Sequence, residues 1–173
     1  MKTVVVYKSK TGFTKRYAKW IAEELGCDLL EEKKASASAI KDYSLVIYGG
    51  GIMAGQISGL KKFKLVASKE NKKLIVFATG ATSTDAKQEI DNVRNRNLPE
   101  GNEIPFFYFR SGINYNEMGF VGKMMMKMFT SMLEKKSSKT PEEQGQLEVL
   151  KNSSDFTKRE DIEPLIQYVK EMK

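Results

Sequence analysis

The sequence predicts an α/β fold, a doubly wound parallel sheet of five strands in the order 2-1-3-4-5, with a helical insertion after the fifth strand. Three observations carry that prediction. Short, nearly all-apolar runs at residues 3–7, 44–48, 73–79 and 104–110 alternate with helix-periodic segments. Strands without a polar face belong to a sheet covered on both sides, as parallel crossovers provide. Each run also stops at glycine or hydroxyl residues, and ligands on such sheets lie outside the carboxyl ends of the strands, where strand order reverses. Right-handed crossovers leave few other topologies.

Length and composition bound the reading. The 173 residues suit one domain, residues 1–173, able to bury a single core. Lys+Arg total 29 against 22 Asp+Glu, a net charge of +7. The lysines are spread along the chain, so the excess suits a solvated surface as well as anionic partners. There is no histidine. That excludes Ser-His-Asp and Cys-His nucleophile systems, and no metal site is expected. The lone Cys27 excludes an intramolecular disulfide and fits a reducing cytosol. No apolar run is long enough to span a bilayer, and no secretory signal precedes the first strand, so a cytoplasmic location is expected.

The elements follow in order. The first strand, residues 3–7, runs into the turn Ser9-Lys10-Thr11-Gly12-Phe13-Thr14. Residues 14–25 form a helix with Tyr17, Ile21 and Leu25 on one face, and Gly26 stands just past its end. Residues 28–32 are a short second strand, and 33–41 a small-residue loop with a helical turn. The third strand, 44–48, is ended by Gly49-Gly50-Gly51. A helix is expected over 57–68. The fourth strand, 73–79, is ended by Gly80, and a helix over 84–97 is capped by Ser83 or Thr84. A break at Leu98-Pro99-Glu100-Gly101 precedes the fifth strand, 104–110, which ends at Ser111-Gly112.

The insertion, about residues 113–156, breaks the alternation. A long helix is expected between Asn116 and Lys136, with an apolar arc of Met118, Phe120, Val121, Met124, Met125, Met126, Met128, Phe129, Met132 and Leu133. Lys123, Lys127, Thr130 and Glu134 form its polar stripe. Thr140-Pro141-Glu142-Glu143 reads as a capping box opening a short helix. Residues 152–154 read as a linker. The closing helix, 161–172, turns Ile162, Leu165, Ile166 and Val169 inward, with Asp161 as its cap so that Pro164 falls in the first turn.

The opening turn carries the first chemistry. A strand, a hydroxyl- and glycine-containing turn and a helix N-terminus together make an anion site. Ser9, Thr11 and Thr14 add hydroxyl donors. The bland alternative is an ordinary turn in which Ser and Thr merely cap the helix. Other signatures fail. Gly49-x-Gly51-x-x-Ala54 fits the dinucleotide fingerprint in form, but no clear helix opens from it. Phe106, Phe107, Tyr108 and Phe109 form a strand and not a base-stacking platform, so nucleic acid is not expected as a partner. Cys27 follows a helix end, where nothing lowers its pKa, and reads as structural.

Ser9-Lys10-Thr11-Gly12-Phe13-Thr14 resembles the phosphate loop of flavodoxins, in the same place after a first strand and before a first helix. The segment from Asp42 to Gly55, with Gly50, Gly51, Ile52 and Met53, resembles the second flavin loop of flavodoxin-domain proteins that include the menaquinone-dependent protoporphyrinogen oxidases. In those relatives the residue at Met53 is often aromatic. Thr79-Gly80-Ala81 resembles the third loop. The resemblance implies a flavodoxin-like three-layer sandwich and FMN as cofactor. It implies that Ser9, Thr11, Gly12, Phe13, Thr14 and the amide of Lys10 hold the phosphate. Gly50, Gly51, Ile52, Met53, Thr79, Gly80 and Ala81 would frame the ring, with Ser111, Gly112 and Tyr115 nearby.

Protoporphyrinogen oxidases of this type also carry a Met-rich segment after the fifth strand, which residues 112–136 resemble. That likeness implies an FMN-dependent oxidoreductase passing electrons from a reduced organic substrate, such as protoporphyrinogen, to a quinone. Two alternatives stay open: a non-enzymatic flavodoxin electron carrier, with a redox protein as partner, and a flavin-free flavodoxin-like binding domain. The Met-rich helix is read either as core or as a surface for an apolar, anionic small molecule or for the inner face of the membrane.

Overall fold

A computed structural model describes residues 1–98 and 103–172. Five parallel strands form the sheet: β1 (Thr3–Lys8), β2 (Asp28–Glu31), β3 (Leu45–Met53), β5 (Lys73–Gly80) and β6 (Phe106–Arg110). A two-residue strand, β4 (Gln56–Ile57), pairs antiparallel with the end of β3. The order is β2-β1-β3-β5-β6, which is the expected 2-1-3-4-5 once β4 is set aside.

Alternate residues of each strand feed two opposite cores, as a sheet covered on both faces requires. Val4, Val6, Val46, Tyr48, Val76 and Ala78 pack against α2 (Ala37–Ile40) and α3 (Leu60–Lys69) through Ile40, Leu60, Phe63 and Ala67. Val5, Tyr7, Leu45, Ile47, Ile75 and Phe77 pack against α1 (Phe13–Leu25) and α7 (Glu163–Glu171) through Tyr17, Ile21, Leu165, Ile166 and Val169. The result is a three-layer α/β/α sandwich. α4 (Lys87–Asn97) buries no residue fully.

Between β6 and α7 the chain leaves the sheet. β7 (Gly112–Ile113) and β8 (Ser154–Asp155) form an antiparallel strap. Between them α5 (Phe120–Glu134) and α6 (Pro141–Lys151) make a hairpin. Thr140 opens α6 with the expected capping box, its hydroxyl accepting from Glu143 N–H while the Glu143 carboxylate accepts from Thr140 N–H.

Several expected boundaries differ, each for a local reason. β3 does not stop at Gly49 but runs through all three glycines to Met53. The first two are needed for closeness: a Cβ on Gly49 would fall into the Phe77 ring, and one on Gly50 would lie 2.7 Å from Ile57 Cγ2. Residues 56–57 are therefore strand, and the helix expected from 57 starts at Leu60. The helix expected from 84 starts at Lys87 with no side-chain cap. Ser83 instead bonds locally, its Oγ accepting from Asp85 N–H (3.3 Å), which holds a turn ahead of the helix. The long helix starts at Phe120, not Asn116, because the Asn114 side chain accepts from Glu117 N–H and keeps 114–117 in a turn. Asp161 lies in a 3-10 turn (Arg159–Ile162) and does not cap α7. Its carboxylate sits 2.8 Å from the Tyr17 hydroxyl. Ser154 of the expected linker belongs to β8. Beyond Leu98, the break expected at 98–101 lies outside the described residues.

Candidate functional site

β1 delivers the chain to the carboxyl edge of the sheet at Lys8. The turn that follows is held by Gly12 N–H donating to Ser9 Oγ (3.1 Å). Gly12 has φ 93°, a left-handed conformation that favours glycine, and it stands at the N-cap of α1 with no side-chain cap bond. The plain capping reading of this turn therefore does not hold. Helical bonding starts with Arg16 N–H donating to the Gly12 carbonyl (3.0 Å). The amides of Phe13, Thr14 and Lys15 have no carbonyl one turn earlier to bond. A Cβ on Gly12 would meet nothing within 4 Å, so the turn is uncrowded on that side. First-turn amides at the positive end of a helix suit an anion.

Three loops meet beside this turn. Thr14 is buried, and its Oγ1 lies 2.8 Å from the Oγ1 of Thr79, also buried, at the end of β5. A hydroxyl pair holds two protons and uses one between them, so one remains for a third partner. Gly51 is in register with Thr79. A Cβ on Gly51 would lie 3.5 Å from Thr14 Oγ1 and 3.8 Å from Thr79 Oγ1.

The other expected residues fall around this point. Ile52 and Met53 pair with Ile57 and Gln56. Lys10 Nζ reaches to 3.9 Å from Met53 Sδ, which links the first two loops at the surface. Gly80 faces the Tyr108 hydroxyl and Ile52 Cδ1, and Ala81 follows in a bend. Ser111 is buried, its N–H donating to the Gly80 carbonyl (2.7 Å). Gly112 and Tyr115 serve the insertion. A Cβ on Gly112 would collide with the Ser154 carbonyl across the strap. The Tyr115 N–H donates to Ser153 Oγ (3.1 Å), and its hydroxyl donates to the Leu150 carbonyl.

A cavity of about 490 Å³ opens beside the turn, lined in part by Thr11, Gly12, Phe13, Arg16, Asn114 and Asp155. That size suits a small-molecule ligand. A second cavity of similar volume lies at the opposite edge, where β5 begins, away from these loops. Spacing could not have found Arg16 and Asp155, which are 139 residues apart. Arg16 Nη1 donates to Asp155 Oδ2 (2.5 Å) and to Thr157 Oγ1 (2.7 Å). Thr157 donates to Asp155 Oδ1 through its N–H (3.0 Å) and its hydroxyl (2.7 Å). Partial burial works against the Asp155 charge, yet these donors hold its carboxyl below the usual range. Asn114 reaches across to the Thr11 carbonyl (3.5 Å). The strap is thus fastened to the turn at two points.

Arg110 was also missed. It ends β6 in register with Gly80, and its guanidinium stacks 4.0 Å over the Phe156 ring. Its Nε is buried with no hydrogen-bond partner. A charged residue closing the aromatic run Phe106-Phe107-Tyr108-Phe109 is the signal that could have found it. Its carbonyl lies 2.6 Å from the Tyr17 hydroxyl, which burial and the neighbouring Asp161 push well above the usual phenol range. Burial pushes the Cys27 thiol up to about 11, with Asp28 adding to it, as suits a structural cysteine.

The donor set of the turn fits FMN: backbone amides without an intrahelical partner and hydroxyls, with no acidic side chain from Ser9 to Thr14. Of the acids lining the cavity, Asp155 is neutralised by Arg16, while Glu117 lies on the rim of the insertion.

Residues 4–140 match the family model described as Flavodoxin domain. An uncharacterised protein of Methanocaldococcus jannaschii is 38% identical over 81 residues, which cover 46% of this chain and 54% of that protein. The chain thus spans about half the length of the curated relative it matches. Among solved structures, it is similar to a flavodoxin from the domain Archaea, with a TM-score of 0.48 and 17% identity over 68% of this chain and 88% of that one. It is also similar to a flavoprotein from Lactobacillus acidophilus NCFM solved in complex with FMN. There the TM-score is 0.44 and the identity 16%, over 63% of this chain and 91% of that one.

Proposed function

Because the chain belongs to the flavodoxin-domain family, we propose that residues 1–173 act as one domain that binds FMN non-covalently and passes electrons through it. The observation that carries this reading is the meeting of three loops at one point: the first-turn amides behind Gly12, the Thr14–Thr79 hydroxyl pair, and Gly51 between them. Bound FMN would supply hydride or one-electron chemistry, so no protein nucleophile is needed and the absent histidine is no obstacle. Ser9, Thr11 and the amides of Lys10, Phe13 and Thr14 would hold the phosphate, with Gly12 letting the backbone come close. Gly50, Gly51, Ile52, Met53, Thr79, Gly80 and Ala81 would frame the ring, with Ser111 fixing Gly80 from behind.

The finer reading is an oxidoreductase of the quinone-dependent protoporphyrinogen oxidase type. Its support is the likeness of the second loop and of the Met-rich segment. One observation favours the simpler carrier reading. Phe120, Met124 and Met128 are exposed on α5 and do not line the cavity beside the turn.

An absorbance spectrum with and without added FMN tests the first step. A yellow protein that quenches flavin fluorescence on titration is expected; a colourless one that takes up no FMN overturns both flavin readings and leaves the binding-domain alternative. An anaerobic assay with protoporphyrinogen and a menaquinone analogue then separates the two. Turnover supports the oxidase, and FMN reduction by redox partners without such turnover supports the carrier.

A further inference from the structure

Most of the exposed large apolar side chains among the described residues lie on α5. Phe120 is 82% exposed, Val121 61%, Met124 55%, Met128 70% and Met132 60%. At 3.6 residues per turn these five side chains fall within an arc of about 120°. The opposite side of the helix carries Leu133, its one buried residue. Scattered apolar side chains on a surface need no explanation, but a continuous face of this kind marks an interaction site.

Charge identifies what covers it. Lys123 and Lys127 stand along one edge of the arc, and Lys135 stands at its C-terminal end, all exposed. None of the three has an ion-pair partner among the described residues. Glu134 is taken by Lys151 (2.8 Å), and Glu143 by Lys136 (2.6 Å). The hairpin therefore uses these acids internally and leaves an apolar face with a cationic rim. The whole chain adds a net charge of +7.

We propose that this face docks on the surface of an anionic lipid bilayer, with α5 lying flat in the interface. The Met and Phe side chains would enter the acyl boundary while the lysine stems run along the helix and keep their ammonium groups among the headgroups. A 15-residue helix is about 22 Å long, too short to cross a hydrocarbon core of about 30 Å. No helix among the described residues is long and apolar enough to cross a membrane. A second copy of the chain is a poorer occupant, since it would bring two lysine rims together. Methionine, flexible and polarizable, suits a fluid surface that offers no fixed shape. The docking does not depend on the flavin.

Co-sedimentation of the full chain with vesicles tests the proposal, using phosphatidylcholine alone and phosphatidylcholine mixed with phosphatidylserine. The protein should pellet with the mixed vesicles, remain in solution with the neutral ones, and be released by salt. Met128→Glu should abolish binding. The pair Lys123→Glu and Lys127→Glu should weaken it by about tenfold or more. All three side chains are exposed, and an unchanged thermal melt will show that the variants fold. Failure of the wild-type protein to pellet with the mixed vesicles overturns the proposal. So does binding that survives Met128→Glu. A concentration-dependent dimer abolished by Met128→Glu, without vesicle binding, would overturn it in favour of self-association.

Discussion

The glycine run at the end of β3 makes two separable predictions. On Gly49 an added Cβ would lie 2.5 Å from Phe77 Cε2 and closer still to Cζ. Phe77 cannot retreat easily. It is fully buried, and its ring sits 5.4 Å from that of Phe109, which stacks at 5.1 Å on Tyr17. Overpacking of this kind costs about 1–3 kcal/mol, and the closed aromatic stack puts Gly49→Ala near the upper end. For a chain of this size that lowers Tm by roughly 6–12 °C. On Gly51 the nearest atoms would be 3.5 and 3.8 Å away, ordinary contacts, and Gly51→Ala should stay within about 0.5 kcal/mol of wild type. Its methyl would project between the Thr14 and Thr79 hydroxyls, so FMN affinity should fall by about tenfold or more, roughly 1.4 kcal/mol. Thermal melts of the apo proteins and fluorescence titration with FMN read the two effects separately. Adding Phe77→Leu should cost Gly49→Ala less than it costs wild type. The reasoning is refuted if Gly49→Ala melts within a degree or so of wild type, or if Gly51→Ala melts as low as Gly49→Ala.

Two further predictions concern bonds that tie distant segments together. Thr14→Val would strand the Thr79 hydroxyl in a buried position, at a cost of about 1–3 kcal/mol in urea unfolding. The double variant with Thr79→Val should cost less than the two single changes added, and strict additivity would show that the 2.8 Å contact is not a hydrogen bond. The second prediction is a pH dependence. Asp155 is held below its unfolded value of 3.8, so its contribution is fully present above that pH and is lost as pH falls through the lower folded value. Asp155→Asn should therefore flatten the acid limb of the stability–pH curve below 3.8. An unchanged limb means that the Arg16–Asp155–Thr157 cluster does not stabilise the folded chain.

The fold was legible because it rests on period and placement. Four apolar runs alternating with helical stretches specify a covered parallel sheet, and the same residues now fill its two cores. What misled was local. Glycine reads as a terminator when sheet packing is invisible, yet Gly49 and Gly50 continue β3 because Phe77 and Ile57 crowd them from neighbouring elements. Asp161 reads as a cap when its partner is unknown, and that partner is Tyr17, 144 residues away. In the candidate site, the phosphate turn was legible because strand, turn and helix are contiguous. Arg16, Asn114 and Asp155 were not, since their meeting depends on how the strap folds back over α1.

That strap explains how the insertion can belong to the site while its apolar face points elsewhere. Both feet of the α5–α6 hairpin end at the sheet's carboxyl edge. One foot carries Ser111 bonded to Gly80 and Asn114 beside Thr11, and the other carries Asp155 bonded to Arg16. A displacement of the hairpin must therefore strain contacts to the phosphate turn and to the end of β5. The exposed Met124, Met128 and Met132 do not line the cavity beside the turn. Holding a ligand and meeting a surface are thus assigned to different faces of the same segment. Substitutions on the outer arc of α5 should leave FMN affinity unchanged, whereas loosening the strap at Asp155 should reduce it even though no Asp155 contact to the ring is required.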